Sequence, residues 1–376
     1  MRDLAEIRED IDRIDKEIVE LYEKRMKDVE EVAEYKIEHG KAVFDKSRED
    51  AKITTLGALA SSDFNRTGVE ELFKQLMSMS RKLQYRLLTK RGVLGKLPFI
   101  AVDDIEKNDV RVVFQGVEGA YSEMAVMKYF GKDTSRFHVE TFRDAMNAIA
   151  DGLADYAVLP IENSSAGIVS QNYDMLSEFE NYIVGEQTIR IEHCLLGLPE
   201  AEINDIRTVY SHPQGLMQCK RFLLEHRNWN QVEEENTAVS ALLVKTEGDK
   251  TQAAIASKQA AALYGLKILQ ENIATESDNF TRFIIVSNQR IFKKDAKKIS
   301  ICFRLPHESG ALYRLMSHFI YNGVNMNKIE SRPMQGVSWE YEFFVDFDGN
   351  LEDEGVKNAL RGIREEAINL KILGNY

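Results

Sequence analysis

The absence of proline from the first 90 residues restricts the fold of this chain more than any other feature, because it permits long uninterrupted helices. An apolar residue recurs every three or four positions, as in a coiled-coil seam: Leu4, Ile7, Ile11, Ile14, Ile18 and Leu21. The pattern predicts a helix from about residue 3 to 38, roughly 50 Å long. A 90-residue monomer is too small to cover this seam, so we expect a homodimer or higher homo-oligomer with intertwined helices.

Two cations stand in the seam at positions where the pattern requires apolar side chains. Arg25 and Lys36 are eleven residues apart, which places them on one helix face about 16 Å apart along the axis. Side chains of this length converge on an anion bound between them, or they extend their charged ends into water. The first helix alone is compatible with both interpretations.

A third predicted helix, about residues 67–90, is also interrupted by polar residues. Ser80 and Gln84 break an apolar face that consists of Leu72, Phe73, Leu76, Leu83 and Leu87. The segment DKSRE (45–49) is predicted to be a loop followed by the start of the second helix. Cations, an amide, a hydroxyl and a carboxylate in one helical core predict a pocket for a polar dianion.

Residues 1–90 resemble the all-helical chorismate mutase family over their whole length. The resemblance depends on Arg8, Arg25, Lys36, Asp45, Arg48, Glu49, Ser80 and Gln84. It implies a Claisen rearrangement of chorismate to prephenate. This reaction needs no nucleophile or base, because the protein only holds the substrate in a compact conformer and directs donors at the developing charge.

The resemblance also implies a role for each of these residues. The roles are carboxylate binding by Arg25 and by Arg8 of the partner subunit, donation to the ether oxygen by Lys36 and Gln84, binding of the ring hydroxyl by Glu49 and the backbone near Asp45, and completion of the pocket by Arg48 and Ser80. Arginine suits bidentate carboxylate binding, whereas lysine is the better point donor.

Residues 91–109 are predicted to form a linker, since Gly92, Gly95 and Pro98 precede an acidic run at 103–106. From 110 to 288, short apolar runs alternate with helical patterns, which predicts an α/β domain. Four stretches of this domain are unusually polar: QGVEGAYS (115–122), VLPIENSSAGIV (158–169), YSHPQ (210–214) followed by Gln218, and NFTRF (279–283). Each alone is typical of turns and helix caps, and the first lacks the pattern of nucleotide-binding loops.

Together with NTAVSA (236–241), these stretches resemble the prephenate dehydratase family from about residue 110 to 287. The fold implied is two α/β lobes with a cleft between them, like the periplasmic binding proteins, with chain crossings near 185 and 270. The resemblance implies Thr281 as the catalytic hydroxyl and a lining that consists of Glu162, Asn163, Ser211, Gln218 and the carboxylate-binding Arg282.

The implied reaction removes CO2 and hydroxide from prephenate and leaves an aromatic ring, so a mild proton donor suffices. The sequence leaves open whether Thr281 alone donates this proton or whether Glu162, kept neutral by burial, shares the task.

Residues 298–376 show the βαββαβ order of a ferredoxin-like unit. Strands are predicted at 299–305, 327–332, 338–346 and 370–373, and helices at about 309–322 and 353–368. The segment resembles an ACT domain, and two motifs match those that bind phenylalanine: Gly310, Ala311, Leu312 and Glu330, Ser331, Arg332. The alternative is a structural dimerisation module. The implied effector is L-phenylalanine, acting as a feedback inhibitor.

The 376 residues carry a formal net charge of −12, which argues against a nucleic-acid partner. The cysteines, Cys194, Cys219 and Cys302, lack metal-binding spacing and are interpreted as reduced core thiols. No apolar run approaches the roughly 20 residues of a membrane span. We therefore expect a cytoplasmic protein with no membrane partner, no metal and no organic cofactor.

The three resemblances together imply a bifunctional chorismate mutase/prephenate dehydratase of L-phenylalanine biosynthesis. One alternative is a monofunctional prephenate dehydratase whose helical arm is only structural; the intact set of polar residues in 1–90 argues against it. The other is a non-catalytic amino-acid sensor, which has no need for Thr281 and Glu162 beside a complete mutase pocket.

Overall fold

The computed structural model of the protein describes residues 2–92, 97–276, 278–334, 337 and 339–376. Gly95 of the predicted linker and Ser338, the predicted first residue of a strand, lie outside the described residues. None of the helices within these ranges combines the length and the hydrophobicity that a membrane span requires.

The helices are α1 (Leu4–Glu38), α2 (Lys46–Gly57), α3 (Asp63–Lys90), α4 (Tyr121–Phe130), α5 (Phe142–Ala150), α6 (Ser170–Glu178), α7 (Pro213–Gln218), α8 (Lys220–Glu225), α9 (Thr237–Glu247), α10 (Lys258–Tyr264), α11 (Ala311–Tyr321) and α12 (Glu354–Glu366). The strands are β1 (Ile100–Val102), β2 (Arg111–Gln115), β3 (Ser135–Val139), β4 (Tyr156–Asn163), β5 (Gly167–Ile168), β6 (Tyr182–Arg190), β7 (Cys194–Gly197), β8 (Thr208–Ser211), β9 (Asn230–Glu233), β10 (Gln252–Ala256), β11 (Lys267–Gln270), β12 (Phe280–Ser287), β13 (Ile291–Lys293), β14 (Lys298–Arg304), β15 (Met326–Pro333), β16 (Tyr341–Asp348) and β17 (Asn369–Asn375).

The chain forms two compact units. Unit 1 consists of Met1–Pro98 and Cys302–Leu370, and unit 2 consists of Phe99–Ile301 and Lys371–Tyr376.

In unit 1, the long first helix begins and ends within one residue of its predicted bounds. Only Val29 and Ala33 of α1 are buried, and the seam from Leu4 to Leu21 is largely exposed. Helix α3 begins at Asp63, four residues earlier than predicted, because Ser62 caps it by accepting a hydrogen bond from the Asn65 amide.

The predicted apolar face of α3 is confirmed at Leu87, which packs against buried residues, and is wrong at Leu72. Leu72 is 55% exposed, whereas Ser80, Arg81 and Gln84 are buried. These polar side chains turn inward because other helices of unit 1 supply partners for two of them: Arg25 of α1 for Ser80, and Glu365 and Glu366 of α12 for Arg81.

The C-terminal segment, of which Cys302–Leu370 belong to unit 1, has the predicted βαββαβ order, from β14 to β17. Its strands are arranged in the order β15-β16-β14-β17, and α11 packs against α12. Helix α12 also packs against α3, where Thr89 donates to the side-chain oxygen of Asn358 at 2.9 Å.

Two large sheets in unit 2 confirm the prediction of two α/β lobes. The first includes neighbouring strands in the order β6-β12-β4-β2-β3, and the second has the order β11-β7-β10-β8-β9. Strands β1 and β13 form a separate two-stranded sheet. The chain crosses between them at residues 191–193 and returns at 271–279. The first crossing comes later than predicted because β6 continues to Arg190, which pairs with Phe280 of β12.

Candidate active sites

Arg25 is directed into the helical core of unit 1 rather than into solvent. Its Nη1 donates to Ser80 Oγ at 2.5 Å and to the Leu76 carbonyl at 3.3 Å. Burial lowers the pKa of Arg25, although the neighbouring Tyr22 and Glu49 act in the opposite direction. Of the two interpretations of the seam cations, the structure supports the anion pocket at this position.

Lys36 lies at the end of α1, where the chain turns back towards α2. Its Nζ donates to the Val43 carbonyl at 2.6 Å. Burial, followed by the charge of Arg48, lowers the pKa of Lys36, while Glu49 and Asp45 act to raise it. The structure thus brings four of the predicted mutase residues into one electrostatic neighbourhood.

Glu49, in the first turn of α2, lies close enough to Lys36 for their charges to interact. Asp45 caps this helix by accepting from the Arg48 amide at 3.1 Å, and its own side chain is exposed, as is that of Arg48. Burial raises the pKa of Glu49, while the charges of Arg81 and Lys36 oppose the rise. A carboxylate at this position is therefore partly desolvated and balanced by cations.

Arg81 is a pocket residue that the sequence analysis missed. Its guanidinium forms an ion pair with Glu49 and also contacts Glu366 at 3.3 Å and Glu365 at 3.8 Å. The available signal was its spacing, since Arg81 lies four residues after Met77 and three before Gln84 on one helix face.

Gln84 and Arg8 occupy very different positions. Gln84 is buried, and its Oε1 has no hydrogen-bond partner among the described residues. Arg8 is exposed and lies seventeen residues before Arg25, about 26 Å away along α1. A single chain therefore does not bring Arg8 into this pocket.

In unit 2, Thr281 lies beside Asn163, the paired residue of the neighbouring strand. Asn163 Nδ2 donates to Thr281 Oγ1 at 2.9 Å, to Asn279 Oδ1 at 2.8 Å and to the Phe280 carbonyl at 3.2 Å. Asn279, which the sequence analysis did not select, is buried, and its Nδ2 has no partner among the described residues.

The turn that follows β4 carries the two serines of the VLPIENSSAGIV stretch. Asn163 Oδ1 accepts from the amides of Ser165 and Ala166 at 3.0 and 2.8 Å. Gln218 Nε2 donates to Ser165 Oγ at 2.7 Å. The structure therefore brings together Asn163, Gln218 and Thr281 from distant parts of the sequence.

Glu162 and Arg282 do not join this cluster. Successive residues of a strand point to opposite faces, so the pair Glu162 and Arg282 faces away from Asn163 and Thr281. Arg282 Nη2 contacts Glu162 Oε2 at 3.0 Å, and its Nη1 contacts Glu186 Oε2 at 3.3 Å. The side-chain directions of Glu162 and Asn163 therefore do not fit the expectation that the two residues form one wall.

Ser211 is likewise placed away from the cluster. Its side chain is fully buried, and its hydroxyl donates to the Ile255 carbonyl at 2.8 Å. The predicted place of Ser211 in the cleft lining is therefore corrected, because this hydrogen bond holds the hydroxyl within the second sheet.

The sequence analysis also missed His193, at the first crossing between the lobes. Its Nε2 lies 2.8 Å from Gln218 Oε1. Burial lowers the pKa of His193, although the hydrogen bond with Gln218 opposes the shift. A lone histidine before an apolar strand carries no sequence signal that distinguishes it from a core residue.

A cavity of about 390 Å³ adjoins the Thr281 cluster. It is lined by Ser165, Met217, Gln218, Lys220, Arg221, Leu224, Ala274, Thr275, Glu276 and Asn279. The side chains of Lys220 and Arg221 are exposed and have no ion-pair partner among the described residues. The cavity therefore offers positive charge next to the polar cluster.

In the second half of unit 1, Gly310 precedes α11 with a φ of +77°, which favours glycine. Ala311 and Leu312 line a cavity of about 430 Å³ together with Trp339, Tyr341 and Phe343. Glu330, Ser331 and Arg332 lie on β15 and are not part of that lining. The two predicted effector motifs therefore do not meet within this cavity.

Comparisons with known proteins identify the family of each part of the chain. A family model described as chorismate mutase type II matches residues 7–85, and one described as prephenate dehydratase matches residues 112–291. The bifunctional chorismate mutase/prephenate dehydratase of Aquifex aeolicus (strain VF5) is 32% identical over 378 residues, which cover 100% of this chain and 98% of that protein.

Two solved structures also resemble the chain. The prephenate dehydratase of Arthrobacter aurescens in complex with L-Phe is 33% identical, with a TM-score of 0.66 over 71% of this chain and 89% of that one. GqqA, described as a novel type of quorum quenching acylase, is 33% identical, with a TM-score of 0.65 over 71% of this chain and 97% of that one.

Proposed function

The chain belongs to the bifunctional chorismate mutase/prephenate dehydratase family, and from this premise we propose which of its residues carry each reaction. The protein rearranges chorismate to prephenate and then converts prephenate to phenylpyruvate, CO2 and water. The proposed domains are a mutase domain at 1–90, a linker at 91–109, a dehydratase domain at 110–288 and a regulatory domain at 298–376.

The mutase site is built around the cations of α1. Arg25 binds one carboxylate of chorismate, and Lys36, with Gln84 beside it, donates to the ether oxygen as the C–O bond breaks. Gln84 donates through its Nε2, while its Oε1, which can only accept, has no hydrogen-bond partner among the described residues. Glu49, held by Arg81, accepts from the ring hydroxyl.

The second carboxylate requires a further cation, and Arg8 of the same chain lies about 26 Å from Arg25 along α1. We propose that this cation is Arg8 of a second copy, which packs its α1 seam against this one in a homodimer or higher homo-oligomer. The exposure of Ile11, Ile14, Ile18 and Leu21 along one stripe supports this arrangement, because such a surface is stable only when it is covered.

In the dehydratase site, Thr281 donates a proton to the departing hydroxyl of prephenate. Because Asn163 donates to Thr281 Oγ1, the threonine oxygen already accepts a hydrogen and its own proton is free for the substrate. The leaving group departs as water while the carboxylate leaves as CO2, and aromatisation supplies the driving force. This hydrogen bond is the observation that carries the proposal.

The carboxylates of prephenate need cations on the Thr281 side of the sheet. Arg282 points to the other face, where Glu162 and Glu186 already balance its charge. We propose instead that Arg221 and Lys220 bind the substrate, because they line the cavity beside Gln218 and Asn279.

The solved structure of the acylase relative raises a second activity for the same cleft. An amide hydrolase of this kind needs a nucleophile hydrogen-bonded to a base. Thr281 receives its hydrogen bond from an amide, and His193 is directed at Gln218 instead. The described surroundings of Thr281 therefore favour dehydration.

The C-terminal segment 298–376 is proposed to be an ACT domain that binds L-phenylalanine as a feedback inhibitor. Its βαββαβ order, the Gly310 turn and the cavity lined by Leu312 and Trp339 support this assignment. Glu330, Ser331 and Arg332 reach the effector if β15 of a second copy completes the site. The cytoplasmic location stays a prediction.

A coupled assay tests the function directly. Purified protein supplied with chorismate, without added metal, is expected to produce prephenate and then phenylpyruvate, and L-phenylalanine is expected to slow the second product. Accumulation of prephenate alone contradicts the dehydratase assignment. Absence of both inhibition and calorimetric binding of L-phenylalanine contradicts the regulatory one.

A further inference from the structure

His193 ends a chain of hydrogen bonds that leads to Thr281. The side chain is 2% exposed and lies at the crossing between the two lobes of unit 2. Its Nε2 contacts Gln218, which contacts Ser165 and Asn163, and Asn163 contacts Thr281. Neither reaction mechanism described above uses this histidine.

Backbone groups determine the direction of the bonds at the Thr281 end of the chain. Asn163 Oδ1 must be the oxygen of its amide, because two backbone N–H groups, those of Ser165 and Ala166, donate to it. Asn163 Nδ2 must be the nitrogen, because it faces the Phe280 carbonyl. Thr281 Oγ1 is therefore the acceptor in its bond with Asn163.

The hydrogen-bond directions at Gln218 and His193 follow from the orientation of Asn163. Ser165 Oγ donates to Asn163 Oδ1 at 2.8 Å, so it accepts from Gln218, whose nitrogen must face it. Gln218 Oε1 then faces His193 Nε2 at 2.8 Å, which requires a hydrogen on that ring nitrogen. Burial lowers the pKa of His193, which favours the neutral ring, and a neutral ring with Nε2–H has a bare Nδ1.

Tyr121 of the QGVEGAYS motif lies next to His193 on the Nδ1 side of the ring, whereas Gln218 contacts Nε2. Tyr121 packs edge-on against the imidazole, with ring centroids 5.9 Å apart. The Tyr121 hydroxyl donates to the Glu192 carbonyl at 2.9 Å and lies 3.4 Å from His193 Nδ1. The Tyr121 hydrogen is directed at the Glu192 carbonyl, so the tautomer of His193 is assigned from the Gln218 side of the ring.

We propose that His193 is a positioning residue of the dehydratase site, which holds the Gln218 amide with its nitrogen towards Ser165 Oγ and Asn163 Oδ1. An inverted Gln218 sets its carbonyl oxygen against Asn163 Oδ1, and this repulsion displaces the Asn163 amide that binds Thr281. The inference rests on the proposed role of Thr281.

Two substitutions in the full chain separate this role from simple packing. His193→Phe keeps a ring but has no donor, and it is expected to lower kcat for dehydration roughly 10-fold to 100-fold with little change in KM. His193→Gln loses the ring but retains an N–H group, and its kcat is expected to stay close to that of the wild type. A packing role predicts the reverse order and overturns the proposal.

The mutase rate of the same chain reports whether each variant is folded. If His193→Phe lowers the mutase rate as well, this variant is misfolded, and the test then depends on dehydration by His193→Gln. Near-normal dehydration by His193→Gln supports the proposal, and a loss equal to that of the phenylalanine variant overturns it.

A double variant tests whether His193 acts through Gln218. In the Gln218→Ala background, His193→Phe is expected to cause little further loss, whereas independent, multiplying losses contradict the proposal. Thr281→Ala distinguishes failure of the Thr281 role from failure of the His193 role. If dehydration survives Thr281→Ala, the proposed role of Thr281 is wrong; if only the His193 variants keep full activity, the positioning role alone is wrong.

Discussion

Glu162 and Asn163 are neighbours on β4 whose side chains leave the sheet on opposite faces. The amide of Asn163 binds Thr281, while the carboxylate of Glu162 binds Arg282. The two adjacent strands thus form a polar cluster on each face. Substitutions can therefore address the proposed proton donor without disturbing the ion pair.

Thr281→Ala is expected to lower kcat for dehydration roughly 10²-fold to 10⁴-fold, because it removes the proposed proton donor. Chorismate consumption by the same protein is expected to be unchanged, since the mutase pocket lies in unit 1. The matched control is Thr281→Ser, which keeps a hydroxyl and should retain most of the rate. Dehydration near the wild-type rate in Thr281→Ala contradicts the assignment.

Arg221→Met is expected to weaken substrate binding, whereas Arg282→Met is expected to lower the stability of the fold. In Arg221→Met, KM for prephenate is expected to rise about 10-fold or more, because a charge-assisted hydrogen bond to the substrate is lost. The melting temperature of this variant should be unchanged. Arg282→Met removes one cation from Glu162 and from Glu186, of which Glu186 keeps Lys298, so its melting temperature should fall. A raised KM in Arg282→Met at normal stability instead assigns the substrate carboxylate to Arg282.

Lys36→Ala and Arg8→Ala are each expected to reduce mutase activity, by roughly 10²-fold to 10³-fold for Lys36, which donates to the developing charge. Equal amounts of the two variants, mixed under subunit exchange, should regain about a quarter of the wild-type rate, because half of the dimers then carry one intact site. Lys27→Ala, on the exposed side of α1, serves as the control. No recovery on mixing means that Arg8 acts within its own chain.

The mutase rate should fall in acid as Glu49 is protonated, and the fall should occur at a pH above the ordinary pKa of a glutamate. Burial raises the pKa of Glu49, and Arg81 counteracts the rise. Arg81→Met therefore raises this pKa further and shifts the acid limb of the pH–rate profile to higher pH. Glu49→Gln should flatten the limb. An unshifted limb in Arg81→Met shows that another group controls it.

Two adjacent glutamates of α12 are expected to affect stability with opposite signs. Burial raises the pKa of Glu365 to about 7. Burial also acts to raise the pKa of Glu366, but the hydrogen bond from His318 and the charge of Arg81 outweigh it, and the net shift is downward.

Ionisation of Glu365 destabilises the fold as pH rises from about 4.5 to 7, so Glu365→Gln should stabilise the protein at pH 8 by about 1–3 kcal/mol and have little effect below pH 4.5. Ionised Glu366 stabilises the fold at pH values above the ordinary pKa of a glutamate. Glu366→Gln should therefore destabilise the fold at pH 8, and the difference in unfolding free energy from the wild type should shrink in acid. Differential scanning calorimetry of both variants at several pH values measures this. Shifts of the same sign in both variants contradict the opposed environments.

Much of the fold could be predicted from local pattern. The seam from Leu4 to Leu21 predicted α1 to within one residue, and the alternation of apolar runs predicted the strands of unit 2. Both patterns arise from the periodicity of a regular backbone, which is a local property. The family also followed from local motifs, since GVEGAYS and NFTRF each occupy one short stretch.

Only the tertiary structure decided which polar residues meet. Arg81 is buried beside Glu49 because α12 lies next to α3, and no pattern in residues 1–90 contains that information. Asn163 and Gln218 lie 55 positions apart and are joined through the Ser165 hydroxyl. His193 has a partner only because the crossing at 191–193 passes the end of α7. The sequence determines which side chains are present, but the hydrogen bonds that orient a proton depend on which strands and helices are neighbours.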